Sequence, residues 1–306
     1  MDNNRMSDSN IKSVIIKSLI DYITLCNELY DALRVNAFYE EERLFFRGQK
    51  SKEFSILPSI ARTTRKSQKP EHFIMQEYKM VNELIRRKPN EFAGFDEFNT
   101  LAKMQHYGLP TRLLDITSNA LVALFFACER VKENHEWQDG EIFFFKKSDT
   151  EIHSSYSVHV ALLSSYFKSQ SNNYSSTQDF DVNENLEKLL DTGKAEILQE
   201  EMKEYILTVP KYHDEREVRQ SAGFILFPNI AERGFITPHI KDIKDDVVKK
   251  MGFRVIVDAA AKDRILRELA RVGITKEFLF PDMQNLARHI YDSAADITIK
   301  NESSII

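Results

Sequence analysis

A chain of 306 residues, 42% hydrophobic and 29% charged, can bury a sizeable core in one large domain or two smaller ones, with an ordinary globular composition. Its formal charge of −5 excludes a binder that works mainly by neutralising phosphates, though a local basic patch stays open. Nine glycines, roughly 3% against a usual share of about 7%, make glycine-rich nucleotide loops scarce.

Residues 11–35 repeat apolar groups at helical spacing behind Ser9 or Asn10, which predicts a helix. Leu44, Phe45 and Phe46 form a short strand that runs into Arg47 and Gly48, and "FSILPSIAR" follows as a loop with a turn at Pro58. Pro70 opens a helix that carries Phe73, Met80 or Val81, and Leu84 on one face. Asp96 caps a helix through "EFNTLAKMQHY", which Gly108 ends before Pro110. Thr117 or Ser118 caps "NALVALFFACERVK", apolar nearly all round and therefore central. Strands are predicted at 141–146, 159–163, 204–210, 223–228 and 253–259. The Ser-, Asn- and Gln-rich stretch 164–185 reads as a surface insertion leading to a charged helix near 183–203. The tail reads as helix, short extended piece, helix.

This order predicts an α+β fold, with helices clustered in the N-terminal half packed on a mostly antiparallel sheet, whole or split, from the C-terminal half. Residues 1–40 are a helical lead-in, 41–292 one domain with 164–185 as its insertion, and 293–306 a tail.

Cys26 and Cys128 sit inside apolar helical patterns and read as small buried hydrophobes of a reducing compartment. The polar, acidic "MDNNRMSDSN" is no signal peptide, and no apolar stretch approaches the ~20 residues that span a bilayer. A cytoplasmic protein without a membrane partner is expected. The glycine-rich phosphate loops, the G-x-S-x-G elbow and the H-E-x-x-H zinc motif are missing, and His153 and His159 have no recognised ligand spacing. No metal is expected.

Three polar stretches remain. In "FFRGQ" an apolar strand delivers Arg47, with Gln49 beside it, and a planar guanidinium suits a phosphate or a carboxylate. A buried pair with a domain carboxylate such as Asp115 is the plainer account of Arg47. In "MQHYGLPTRLLDIT" a rigid bend projects His106, Arg112 and Asp115; Arg112 with Asp115 is most simply an internal ion pair, and His106 a structural histidine near a helix C-terminus. Thr117 and Ser118 start a helix, whose free amides can also receive an anion. In "HDEREVRQSAGFILF" Glu215, Glu217 and Gln220 precede a strand, and carboxylates two residues apart on an extended chain share a face, as acid–base or oxocarbenium-stabilising work requires. A solvated charged loop is the plainer account there.

Together these segments resemble the FRG domain family of bacterial and phage proteins, named for the motif that stands here as Phe46-Arg47-Gly48. The resemblance takes in "LPSIAR", the E-x-x-x-x-x-E from Glu71 to Glu77, "MQHYGLPTRLLDIT", "ALVALFFAC", "DGEIFFF", "RQSAGFILF" and "LFPDMQNLA". The family often has Trp where this chain has Ile116. Its members are met near mobile elements and defence genes, which implies a toxin or antiviral effector. The motif order is also similar to that of ADP-ribosyltransferases: Arg47 ends a first strand, Thr117-Ser118 lead into "ALVALFFA", and Glu217 or Gln220 stands near a late strand. That likeness implies NAD as substrate, with Arg47, Gln49, Arg112, Asp115, Thr117 and Ser118 around the nucleotide. Gln220 or Glu217, with His106, would serve the chemistry, and ADP-ribose would pass to a protein or nucleic-acid acceptor. A metal-independent nuclease using His106, Arg47 and Arg112, and a non-catalytic sensor of a nucleotide or phage protein, are the alternatives.

Overall fold

Apolar strands drawn from both halves of the sequence pair into one large sheet, and its helices come from both halves too. A computed structural model describes residues 11–33, 44–62, 74, 76–146, 151–152, 163, 205–210, 212, 215–232, 235–282, 287 and 290–291. In chain order the described elements begin with β1 (Lys12–Ile16), α1 (Leu19–Ala32), β2 (Leu44–Gln49) and a 3-10 turn (Ser59–Ala61). Next come α2 (Glu77–Arg87), α3 (Pro89–Phe92), α4 (Glu97–His106), β3 (Leu113–Thr117) and α5 (Ala120–Cys128). The hairpin of β4 (Lys132–Glu133) and β5 (Glu136–Trp137) precedes β6 (Gly140–Lys146), β7 (Glu151–Ile152) and β8 (Ile206–Thr208). Then follow α6 (Glu215–Arg219), β9 (Ala222–Leu226) and the hairpin of β10 (Asn229–Glu232) and β11 (Phe235–Pro238). The last are α7 (Lys244–Met251), β12 (Phe253–Val257), α8 (Lys262–Arg271) and α9 (Lys276–Leu279).

Eight strands form one sheet in the order β1-β12-β6-β2-β3-β9-β8-β7. The outer pairs β1–β12 and β7–β8 are parallel and the inner ones antiparallel, so the fold is α+β. The helices are not confined to the N-terminal half, because α6 to α9 come late and β1 to β3 early. Local patterns signal elements; they do not signal which distant strand will pair with them.

The clearest correction is at residues 11–16. They were expected to begin a helix, yet the β-branched run Val14-Ile15-Ile16 pairs in parallel with Val255, Ile256 and Val257. The helix starts at Leu19, and the Ser18 hydroxyl accepts from the Asp21 amide. Farther on, Asp96 caps α4 and Gly108 follows it at φ +87°. The tail's expected extended piece holds α9 at Lys276–Leu279. The start of the helix at Pro70, the strand at 159–163 apart from Leu163, the insertion 164–185, the helix near 183–203, His153, His159 and the tail 293–306 lie outside the described residues.

Strand alternation sorts the core. Phe46, Phe144, Ile142 and Val255 face α1, α5 and α8. Leu113, Phe224 and Leu226 pack with Phe98 and Leu101 of α4. Phe45, Ile116, Phe143 and Ile225 fill the opposite face with Val247 and Val248 of α7. Cys26 and Cys128 are buried and free, as small hydrophobes; burial pushes their thiols up, Cys26 to about 11 and Cys128 to about 12. No helix among the described residues is long and apolar enough to cross a membrane.

Helix α5 lies directly on the backbone of β2 and β6, and glycine makes that approach possible. A Cβ on Gly48 would stand 1.8 Å from the Ala123 carbonyl oxygen, and one on Gly140 would stand 2.2 Å from that of Ala127. The glycine of "FFRGQ" therefore serves helix packing. Gly48→Ala is expected to destabilise by about 3 kcal/mol, the upper end for an overpacked core, because backbone must shift on one side. Urea unfolding with an unchanged slope and a lower midpoint would record it.

Candidate functional site

The sheet has a weak seam at its centre. Strand β2 pairs with β6 along Leu44 to Gln49, and β3 pairs with β9 along Leu113 to Thr117. Between β2 and β3 the ladder holds a single pair, Phe46 with Thr117. Beyond it, the Arg47 side chain spans the gap, its Nη1 donating to the Asp115 carbonyl at 2.6 Å. A cleft of about 730 Å³ opens at this seam, lined by β2, the loop after it, the end of β3, the start of α5 and residues near α6.

Arg47 is half-buried, and its Nε has no hydrogen-bond partner among the described residues. Burial, and then the charge of Arg62, pull its pKa down to about 10, against the opposing pull of Asp115. It stays charged at neutral pH, at an energetic cost that an anion would relieve. Gln49 donates through Nε2 to the Ser55 carbonyl at 3.0 Å, while its Oε1 is buried without a partner among the described residues. Two orphaned polar atoms in one cleft wall are unusual, since buried polar groups are nearly always paired.

Asp115 precedes Thr117 by two on the strand, so both project from the face of Phe46. Its Oδ1 accepts from Gln105 Nε2 at 2.8 Å, and Gln105 Oε1 in turn accepts from the Thr111 hydroxyl. Gln105, which the sequence reading passed over, thus fixes the carboxylate. Thr117 is occupied internally: its hydroxyl donates to the Gln220 carbonyl at 2.6 Å and accepts from the Asn119 amide at 3.0 Å. The cap of α5 is Asn119, not Thr117 or Ser118, with Oδ1 accepting from Leu121 and Val122. Gln220 lines the cleft, and its Nε2 donates to the Leu279 carbonyl at 3.0 Å. Arg216 lines it as well, with its guanidinium over the Phe280 ring.

The expected Arg112–Asp115 pair does not form. Arg112 is fully buried against Glu77 of α2, with Nε to Oε2 at 2.7 Å and its own amide to Oε1 at 2.9 Å. Its Nη1 donates to Asn229 Oδ1 at 2.6 Å. Residues 112 and 115 on an extended chain point to opposite sides, which separates them. His106 ends α4, edge-on to Tyr107, and does not line the cleft. Glu215–Arg219 form the short helix α6 instead of an extended chain, and Glu217 is buried off the cleft wall.

A family model described as FRG domain matches residues 42–136. The chain carries an FRG domain. No curated protein and no solved structure matches it. The matched span runs from just before β2 to β5, so the FRG domain supplies Arg47, Gln49, Arg62, Asp115 and Thr117 to the cleft. Gln220 and Arg216 come from outside that span. The cleft therefore brings together Arg47, Gln49, Asp115, Thr117 and Gln220, and leaves out His106, Arg112, Ser118 and Glu217.

One buried lysine supports the lip of the FRG domain cleft. Lys262, 1% exposed, donates from Nζ to the Lys50 carbonyl at 2.7 Å and the Glu129 carbonyl at 3.2 Å, and both residues line the cleft. Burial pulls its pKa from 10.5 to about 8. Between those two values the unfolded chain holds a proton that the folded one has released, so stability attributable to this group rises with pH across about 8 to 10.5. The expected result is a lysine εCH2 resonance titrating near pH 8, absent in Lys262→Met. A midpoint near 10.5 would contradict it.

Proposed function

We propose that the seam cleft binds NAD or an ADP-ribose-like nucleotide, and that the protein transfers ADP-ribose to a macromolecular acceptor as an effector of toxin or defence type. The observation that carries this reading is Arg47: a half-buried guanidinium at the end of an apolar strand, with an unpaired Nε, in a cleft of about 730 Å³. That volume falls among ligand sites, which run from about 300 to 1,000 Å³. The apolar Phe46, Val122 and Phe126 give a ring somewhere to lie, and Asp115 and Gln220 supply oxygens on the same walls.

In this reading Arg47 binds phosphate. Heterolysis of the bond between ribose C1′ and the nicotinamide nitrogen leaves the electron pair on nicotinamide and positive charge on the ribose. The Asp115 carboxylate, held by Gln105, stabilises that charge, and Gln220 orients the acceptor. The acceptor nucleophile bonds to C1′ and gives up its proton to water. The nuclease alternative relied on His106 and Arg112 beside Arg47, and neither lines the cleft.

Incubation of the protein with NAD labelled in the adenylate part and a cell extract tests the reading. Nicotinamide release with label attached to a macromolecule is expected. Breakdown of RNA or DNA without NAD would replace the proposal with a nuclease, and neither outcome would leave a binding module.

A further inference from the structure

We propose that Arg62 is the second arm of an anion clamp, which closes with Arg47 on the diphosphate of the nucleotide. The inference rests on the nucleotide reading above and names the group that the cleft grips. Arg62 stands at the C-terminal end of the Ser59–Ala61 turn, and that turn is a rigid base. Ile60 and Ala61 are buried, the Ile60 amide donates to the Thr111 carbonyl at 3.2 Å, and the Thr111 amide donates to the Ser59 hydroxyl at 3.1 Å. The Arg62 Nε is spent on the Leu57 carbonyl at 3.0 Å, which orients the guanidinium. Its two Nη groups have no partner among the described residues.

Charge makes the case for a ligand. Arg62 and Arg47 lie close enough to repel, the cleft strips water from Arg47, and both feel the charge of one carboxylate, Asp115, which Gln105 already holds. The other acids on the wall have their own basic neighbours, Glu53 near Arg254 and Glu129 near Lys262. Lys50 and Arg216 add further positive charge. Two fork-shaped guanidiniums near one carboxylate leave an excess of positive charge that an anion would balance. A diphosphate offers one negative charge to each fork through paired hydrogen bonds.

Calorimetric titration of the full chain with ADP-ribose, inorganic pyrophosphate and adenosine tests this. ADP-ribose and pyrophosphate are expected to bind and to compete, and Arg62→Gln to weaken both at least tenfold while leaving adenosine unchanged. Arg62→Lys should recover part of the loss, because a point charge replaces a fork. The side chain is exposed, so a thermal melt of Arg62→Gln should match the wild type. Unchanged ADP-ribose affinity in Arg62→Gln, or pyrophosphate that fails to bind the wild type, would overturn the clamp. The two readings fail separately. Pyrophosphate binding lost in Arg62→Gln, in a protein that never cleaves NAD, keeps the clamp and removes the transferase. NAD cleavage with an unaltered KM in Arg62→Gln keeps the transferase and removes the clamp.

Discussion

Glu77→Ala is expected to destabilise the protein by about 3–5 kcal/mol, the usual loss when one partner of a buried ion pair is removed. Glu77 and Arg112 are 1% and 0% exposed. The carboxylate receives both the Arg112 side chain and its backbone amide, so its loss orphans a guanidinium and an N–H together. Asn229 Oδ1 remains as a neutral acceptor and cannot balance the charge. The pair also ties α2 to the entry of β3 and the start of β10, so the damage spreads through the half of the core that holds the seam. At roughly 2–4 °C per kcal/mol, the melting temperature should fall by about 10 °C. The double change Glu77→Leu with Arg112→Met should regain most of it, because apolar groups of similar volume avoid the desolvation of both charges. A single change that melts like the wild type would mean that water reaches the pair.

Arg47→Ala should have the opposite signature, with a small effect on stability and a large one on activity. The side chain makes one hydrogen bond among the described residues, to a backbone carbonyl, and without it Asp115 keeps the Gln105 hydrogen bond and the nearby charge of Arg62. The stability loss should be about 1 kcal/mol. The rate of nicotinamide release should fall at least about 100-fold, as when one preorganised donor is removed from a charge-stabilising site. Arg47→Lys should recover little, since an ammonium cannot reproduce two parallel hydrogen bonds. A melting temperature lowered as far as in Glu77→Ala would make Arg47 a structural residue.

Much of the site was legible in the sequence because its residues sit at the ends of strongly patterned elements. The apolar run before Arg47 announces β2, and "ALVALFFAC" announces a buried helix, so Arg47, Gln49, Asp115 and Thr117 are placed by their neighbours. Gln220 is placed likewise by the strand that follows it. A neighbour in sequence is not always a partner in space. Arg112 and Asp115 are three apart on extended backbone and face away from each other, while Arg112 finds Glu77 thirty-five positions earlier. Gln105 is hidden by the more conspicuous His106 beside it, although the C-terminal turn of α4 aims the amide, not the imidazole, at Asp115. Arg62 closes the motif "LPSIAR" and Arg216 lies in "HDEREVRQSAGFILF", yet neither motif says where its arginine points; only the closing of the seam puts them on one wall. The sheet order was equally hidden, since β1 and β12 stand 241 positions apart at Lys12 and Phe253.

The most direct measurement is the rate of nicotinamide release from NAD by the wild type and by Arg47→Ala, side by side, in the presence of cell extract. Cleavage by the wild type, with a loss of at least about 100-fold in a variant that melts within a few degrees of it, is the predicted result. Equal rates in the two proteins, or no release by the wild type, would contradict a nucleotide-cleaving site at the β2–β3 seam.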